Sequence, residues 1–289
     1  MKQQVHLFTS AACNYLPKAR VLAKSVRKYH PEWRIHLALA DRMCSMPEDT
    51  PAFFDEIHPA SEIGIPHYPA WSFGHLVKEH ATAIKPFILK QLLERNDCRC
   101  VIYLDPDMVL FSPLHDIINQ LDHCSVTLTP HLTEPETSLR GVLDNEICSL
   151  RHGVYNLGFI GVKPSAEGFR FAAWWADRTY HFCHDDIPTG LYTDQRWIDL
   201  VPAFFHEVVI LKSPRFNVAT WNISNRSLSG EIPEGLLLNG EPLGFYHFTG
   251  FDSGAHKVMA KIYGSEQPLL ERLIAWYLEQ CQEQSLSAI

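Results

Sequence analysis

Two carboxylates one residue apart, Asp105-Pro106-Asp107, follow the apolar run Val101-Ile102-Tyr103-Leu104. That run reads as a strand buried on both faces, and such a strand has no use for two acids at its tip. On extended chain the two side chains share a face. Close carboxylates repel, so one gains a proton or a cation enters between them. Oxygen donors suit Mg2+ or Mn2+, ions that bridge protein carboxylates to phosphate groups. The same spacing also serves a surface turn capped by Asp, and the pair alone does not decide between the two. Far downstream, His247 sits inside Phe245-Tyr246-His247-Phe248. A histidine in an apolar strand is usually a core residue with one hydrogen bond. Beside a carboxylate pair it becomes a candidate third ligand, and a ring nitrogen favours Mn2+ over Mg2+.

The elements that must position these groups follow from periodicity. Val5–Ser10 is an apolar run ending in small polar residues, a first strand that stops at a loop. Lys18–Tyr29 has apolar Ala19, Val21, Leu22 and Val26 at helical spacing, and Pro31 ends it. Arg34–Ala40 is a second strand, so the chain opens as a parallel β-α-β unit. Residues 46–68 are polar and proline-rich, with a short strand near Ile57. His80–Arg95 reads as one amphipathic helix containing Pro86. Met108–Phe111 continues extended past the acids. Residues 130–150 are polar and irregular, with no clear period until 142–150, and read as an active-site loop or lid. Tyr155–Val162 is a strand holding Gly158 and Gly161, and Phe169–Arg178 a helix. Val208–Leu211 and Phe245–Phe248 are further strands. Pro268–Gln282 is an amphipathic helix whose ordinary role is to pack back on the domain.

Length, composition and charge limit the alternatives. At 289 residues the chain suits one large α/β domain. A net charge of −8 argues against a general nucleic-acid binder. Sixteen histidines are scattered singly, and each alone reads as a surface or core residue. Eight cysteines include no CxxC pair and read as small core residues in a reducing cytoplasm. No run approaches the ~18 apolar residues of a membrane span.

Taken in order, Thr9-Ser10 with Asn14-Tyr15, Lys85, Tyr103-Leu104-Asp105-Pro106-Asp107, Tyr155-Asn156-Leu157-Gly158-Phe159, Thr193-Asp194-Gln195 and His247-Phe248-Thr249-Gly250 resemble the GT-A glycosyltransferases. They are most similar to the retaining glycogenin and bacterial galactosyltransferase type, over roughly residues 5–250. The resemblance implies an α/β fold, a Rossmann-like three-layer sandwich with a mixed central sheet. It also implies one domain over 1–289. Residues 1–125 would bind the nucleotide sugar, 126–265 would meet donor sugar and acceptor, and 266–289 would form the terminal helix.

By the same resemblance, Asp105, Asp107 and His247 hold Mn2+ or Mg2+. Thr9, Ser10 and Tyr15 cradle the nucleoside, with Tyr15 stacking on the base, and Lys85 faces the nucleotide. Asn156 and Gly158 meet the donor sugar, and Asp194 and Gln195 lie beside the transferred sugar. Gly250 closes the C-terminal motif. The family's following Lys-Pro-Trp is absent; Phe251-Asp252-Ser253-Gly254-Ala255-His256-Lys257 stands there, and either Lys257 or a different residue takes the diphosphate role.

The implied reaction moves a hexose from a UDP-linked or similar sugar to a carbohydrate, glycolipid or glycoprotein acceptor with retention. Inversion would need a base such as Asp185, Asp186 or Asp252. The implied setting is the cytoplasm, including the inner face of the membrane. The C-terminal helix is where a homodimer or a membrane contact would form. Two readings compete. A sugar nucleotidyltransferase would carry a glycine-rich first loop, which Ser10-Ala11-Ala12-Cys13-Asn14 is not. An inactive carbohydrate-binding protein would not need the acids. The run His181-Phe182-Cys183-His184-Asp185-Asp186 fits no standard structural zinc spacing and reads as a solvated loop near the acceptor.

Overall fold

The computed structural model describes residues 3–43 and 46–286; Cys44, counted above among the core cysteines, lies outside them. The chain opens with β1 (Gln4–Ala11), α1 (Leu16–Tyr29), β2 (Arg34–Leu39) and β3 (Glu56–Pro59). Two helices follow, α2 (Val77–Ala83) and α3 (Lys85–Leu93), and then β4 (Cys98–Leu104) and β5 (Met108–Leu110). After α4 (His115–Leu121) come β6 (Val126–Pro130), β7 (Tyr155–Val162), α5 (Ala166–Phe182) and β8 (Val208–Ile210). The chain closes with β9 (Phe245–His247), α6 (Ala255–Tyr263) and α7 (Pro268–Leu286).

Seven strands form one sheet in the order β8-β6-β7-β4-β1-β2-β3. Pairings are parallel except those of β7, which runs antiparallel to β4 and β6. Side-chain alternation sends Leu7, Leu37 and Ile102 toward α1 and α4, and Phe8, Ala38 and Tyr103 toward α3 and α5. The result is a mixed sheet between two helical layers. It is the three-layer α/β sandwich expected from the sequence.

A third apolar cluster sits beside the sheet. There β5 and β9 pair antiparallel, with His247 opposite Met108. The terminal helix α7 buries Leu270, Leu273 and Tyr277 against it, and Tyr277 stacks on Phe248 with ring centres 3.8 Å apart.

Three local expectations change. The single helix His80–Arg95 is two helices broken at Ile84. Pro86 has no N–H to give back along the chain, so the winding restarts with Lys85 as its first residue. The Asp pair is not on extended chain but in a tight turn, where Met108 N–H donates to Asp105 O over 3.1 Å. Residues 139–152 are wound rather than irregular. A π-helical turn at Val142–Glu146 lies between Leu139–Gly141 and Ile147–His152. Its wider pitch breaks the 3.6-residue period that would have marked a helix. Of the cysteines, Cys98, Cys100, Cys124 and Cys183 are buried as expected, whereas Cys148 is exposed.

Candidate functional site: a carboxylate–histidine cluster at the carboxyl end of the sheet

Asp105 and Asp107 leave the end of β4, and His247 comes from β9, which pairs with the strand just after the turn. Their ligand atoms lie within 4.8 Å of one another. His247 Nε2 is 3.1 Å from Asp107 Oδ1 and 3.7 Å from Asp105 Oδ2. Asp107 and His247 are buried; Asp105 is a quarter exposed.

The proton positions can be read from the neighbours. Gly158 N–H donates to Asn156 Oδ1 at 3.2 Å, which fixes that atom as the amide oxygen. His247 Nδ1 lies 3.2 Å from the same oxygen and so carries the proton. In the neutral ring Nε2 is then a lone pair aimed at a carboxylate. Two acceptors do not face each other at 3.1 Å without a cation or proton between them. A divalent ion bound by two carboxylate oxygens and one imidazole satisfies all three. The donor set therefore fits Mn2+ or Mg2+, and Asn156 is the outer partner that aims the imidazole. Gly158 makes room for the arrangement: a Cβ there would come within 2.7 Å of the His247 ring.

A second charged pair adjoins the first. Lys85 Nζ, at the helix break, is 3.3 Å from Asp105 Oδ1 and 3.2 Å from Asp194 Oδ2. It also sits 4.4 Å from the centre of the Tyr103 ring. Tyr103 OH donates to Asp105 in turn. Burial alone would lower the Lys85 pKa, but Asp105 and Asp194 outweigh it and hold the ammonium charged. Burial raises the Asp194 pKa, with Lys85 opposing and Asp105 reinforcing. Asp194 is buried, and the Lys85 ammonium is the cation that meets its carboxylate, 3.2 Å from Oδ2. Asp194 follows Thr193, a β-branched residue held at φ 46°. That conformation is strained and points to a position fixed by its surroundings.

Two adjoining cavities of about 420 and 430 Å3 meet at this cluster. Lys78, Thr82, Lys85 and Asp105 line both. The first contains Asn156, Asp194, Gln195 and His247; the second contains Ser10, Tyr15 and Asp107. Thr9 is buried within β1, outside either lining. Tyr15 OH donates to Asp252, and Lys18 lies 3.9 Å over the Tyr15 ring. Gln195 has both amide ends engaged: Oε1 accepts from Leu157 N–H, and Nε2 donates to His152 O. Gly250 forms a left-handed turn at φ 78° beyond the cavity linings. Lys257 is exposed on α6 and lines a separate hollow with Phe251 and Leu278. The run at 181–186 forms no metal cluster among the described residues; Cys183 is buried against Thr82, and Asp185 accepts from Lys78.

Several lining residues had no signal in the sequence. Lys78 bonds Tyr192 OH, His131 accepts from Asn156, and Trp221 meets the His247 ring edge-on at 5.4 Å. None lies in a spaced motif, and only the fold brings them together.

Compared with known proteins, the galactosyltransferase LgtC, solved with donor and acceptor sugar analogs, aligns with 91% of this chain and 96% of its own, at a TM-score of 0.50 and 17% identity. The chain has a GT-A-like fold. At that identity the likeness concerns the fold alone. In sequence, it is 28% identical over 176 residues to the uncharacterized protein YfnF of Bacillus subtilis (strain 168), and 29% over 176 residues to YfnD of the same strain. Each match takes 60% of this chain and 57% or 54% of the relative, so the chain spans a little over half their length. No family model matches. Among the described residues no helix is long and apolar enough to cross a membrane.

Proposed function

We propose that this chain is a metal-dependent glycosyltransferase that moves a hexose from a nucleoside diphosphate sugar, UDP-linked, to a glycan, lipid-linked or protein acceptor. The observation that carries the reading is the close set of Asp105, Asp107 and His247 where two cavities meet. A divalent ion held by Asp105, Asp107 and His247 would offset the charge that develops on a departing diphosphate. The cavity with Ser10 and Tyr15 takes the nucleoside, and the cavity with Asn156 and Asp194 takes the sugar. Lys85 stands at their shared wall, its ammonium fixed by Asp105 and Asp194, and adds positive charge on the leaving-group side. Gln195 acts as a tie that holds Leu157 and His152 around the sugar cavity.

Retention of configuration fits the state of the acids. Inversion needs a base free to take the acceptor proton. The carboxylates lining the sugar cavity are Asp105, Asp144 and Asp194. Asp105 and Asp194 share Lys85, and Asp144 pairs with Arg140 and accepts from Tyr263 OH at 2.8 Å. A thermal-shift screen of nucleotides and nucleotide sugars, with and without Mn2+, tests the donor. A Mn2+-dependent rise with one nucleoside diphosphate class is expected, and no rise with any of them overturns the reading. The anomeric configuration of the product, read by NMR, tests retention; an inverted product rejects it.

A further inference from the structure

A second cluster lies at the opposite end of the sheet, where the parallel strands begin. His6 of β1, His36 of β2 and His58 of β3 form a continuous row. His6 Nδ1 is 2.9 Å from His36 Nε2, and His36 Nδ1 is 3.1 Å from His58 Nε2. Glu56 Oε2 lies 3.8 Å from both His36 Nδ1 and His58 Nε2. At the inner end, His6 Nε2 is 3.3 Å from Asp97 Oδ1. His6 and His36 are fully buried, His58 is 19% exposed and Glu56 39% exposed, so the row opens to solvent at one end.

Proton placement gives the row a direction. The Asp97 carboxylate, 3.3 Å away but outside hydrogen-bond geometry, favours the proton on His6 Nε2. His6 Nδ1 then accepts, His36 Nε2–H donates to it, and His36 Nδ1 is left as a lone pair. That lone pair, His58 Nε2 and the Glu56 carboxylate converge near the solvent-exposed end. Zn–N bonds of about 2.0–2.1 Å place two nitrogens about 3.3 Å apart around a tetrahedral ion, close to the spacing seen here. His6 and Asp97 stand behind His36 as the carboxylate-backed imidazole that orients a metal-bound histidine.

We propose that His36, His58 and Glu56 form a second metal site of the Zn2+ class, with a fourth position open to water. Two nitrogens and one oxygen suit Zn2+ better than the oxygen-rich cluster at the other end does. Glu56 accepts from Arg95 Nη1 at 3.0 Å and turns from that partner to reach the ion. Its ligands come from two strands, His36 from β2 and Glu56 and His58 from β3. β3 is a four-residue edge strand, and the ion clips it to β2.

The test uses the Asp107→Asn chain, which disables the first cluster. After EDTA stripping it is titrated with ZnCl2 and, separately, with CoCl2. One equivalent of Zn2+ should bind and raise the thermal midpoint, and Co2+ should give the intense visible bands of a four-coordinate site. His58→Ala in that background should weaken binding by about tenfold or more. Glu56→Gln, at a half-exposed position, should do the same and guards against a folding defect in the first variant. Zn2+ uptake that is absent, or that survives both substitutions unchanged, overturns the site.

Discussion

The two ends of the central sheet carry clusters of three candidate ligand residues with opposite characters. At the carboxyl ends, two carboxylates and one imidazole face two cavities, with Lys85 alongside. At the amino ends, two imidazoles and one carboxylate face solvent at an edge strand, with Arg95 alongside. Both histidine groups are aimed by an outer partner: Asn156 for His247, and His6 with Asp97 for His36. What differs is the room for a ligand. Two cavities adjoin the carboxyl-end cluster, a space into which a phosphate could bring further oxygens. The three ligands alone would not separate a catalytic site from a structural one; the surrounding space does.

Substitutions can break that contrast, the largest effect first. Lys85→Ala leaves Asp105 and Asp194 without their shared cation. Removing one partner of a buried pair costs about 3–5 kcal/mol. A urea titration should show the fall in midpoint, and Lys85→Ala with Asp194→Asn should recover part of it. An unchanged midpoint for Lys85→Ala would mean that the pair is not a buried constraint. Asp107→Ala should cut Mn2+-dependent sugar transfer by ~10²-fold or more, about 2.7 kcal/mol at the barrier. It should leave Zn2+ uptake at the amino end intact, and loss of both would merge the two clusters into one linked system.

Asn156→Leu tests aiming alone. It keeps all three ligands but frees the His247 ring, so Mn2+ affinity should fall by about 10–100-fold. Unchanged affinity would reject the proton assignment. Gly158→Ala pushes a methyl group toward His247 and Asn156, and overpacking of this kind costs about 1–3 kcal/mol. A smaller loss of Mn2+ affinity than in Asn156→Leu should accompany it. His58→Ala, by contrast, should lower the thermal midpoint in Zn2+ while transfer in Mn2+ stays within about twofold, since β3 lines neither cavity.

How much of this was legible in the sequence follows from the kind of signal each part leaves. The layered fold was, because two-residue alternation and helical spacing both report which side of a sheet a residue faces. The carboxylate pair was legible as a pair, though the turn that joins the acids was not. Pro106 fits turn and extended chain alike until the partner of β5 is known. Lys85 looked like one charge on a long helix; the break that buries it depends on Pro86 lying near a first turn. The histidine row was invisible. His6, His36 and His58 share no spacing and were each read as solitary, because their contact depends on the register of three neighbouring strands. Lys257 shows the reverse: it fills the place left by a missing motif, yet α6 directs it to a separate hollow that it lines with Phe251.

His247 and Asp107 are 140 positions apart along the chain. During synthesis at roughly 5–20 residues per second, the two acids leave the ribosome on the order of ten seconds before the imidazole exists. For that interval β5 has no β9 to pair with, and the growing chain holds the two acids of the candidate metal site without their imidazole. Any ion or nucleotide that depends on all three residues must therefore wait until the stretch carrying His247 has been made.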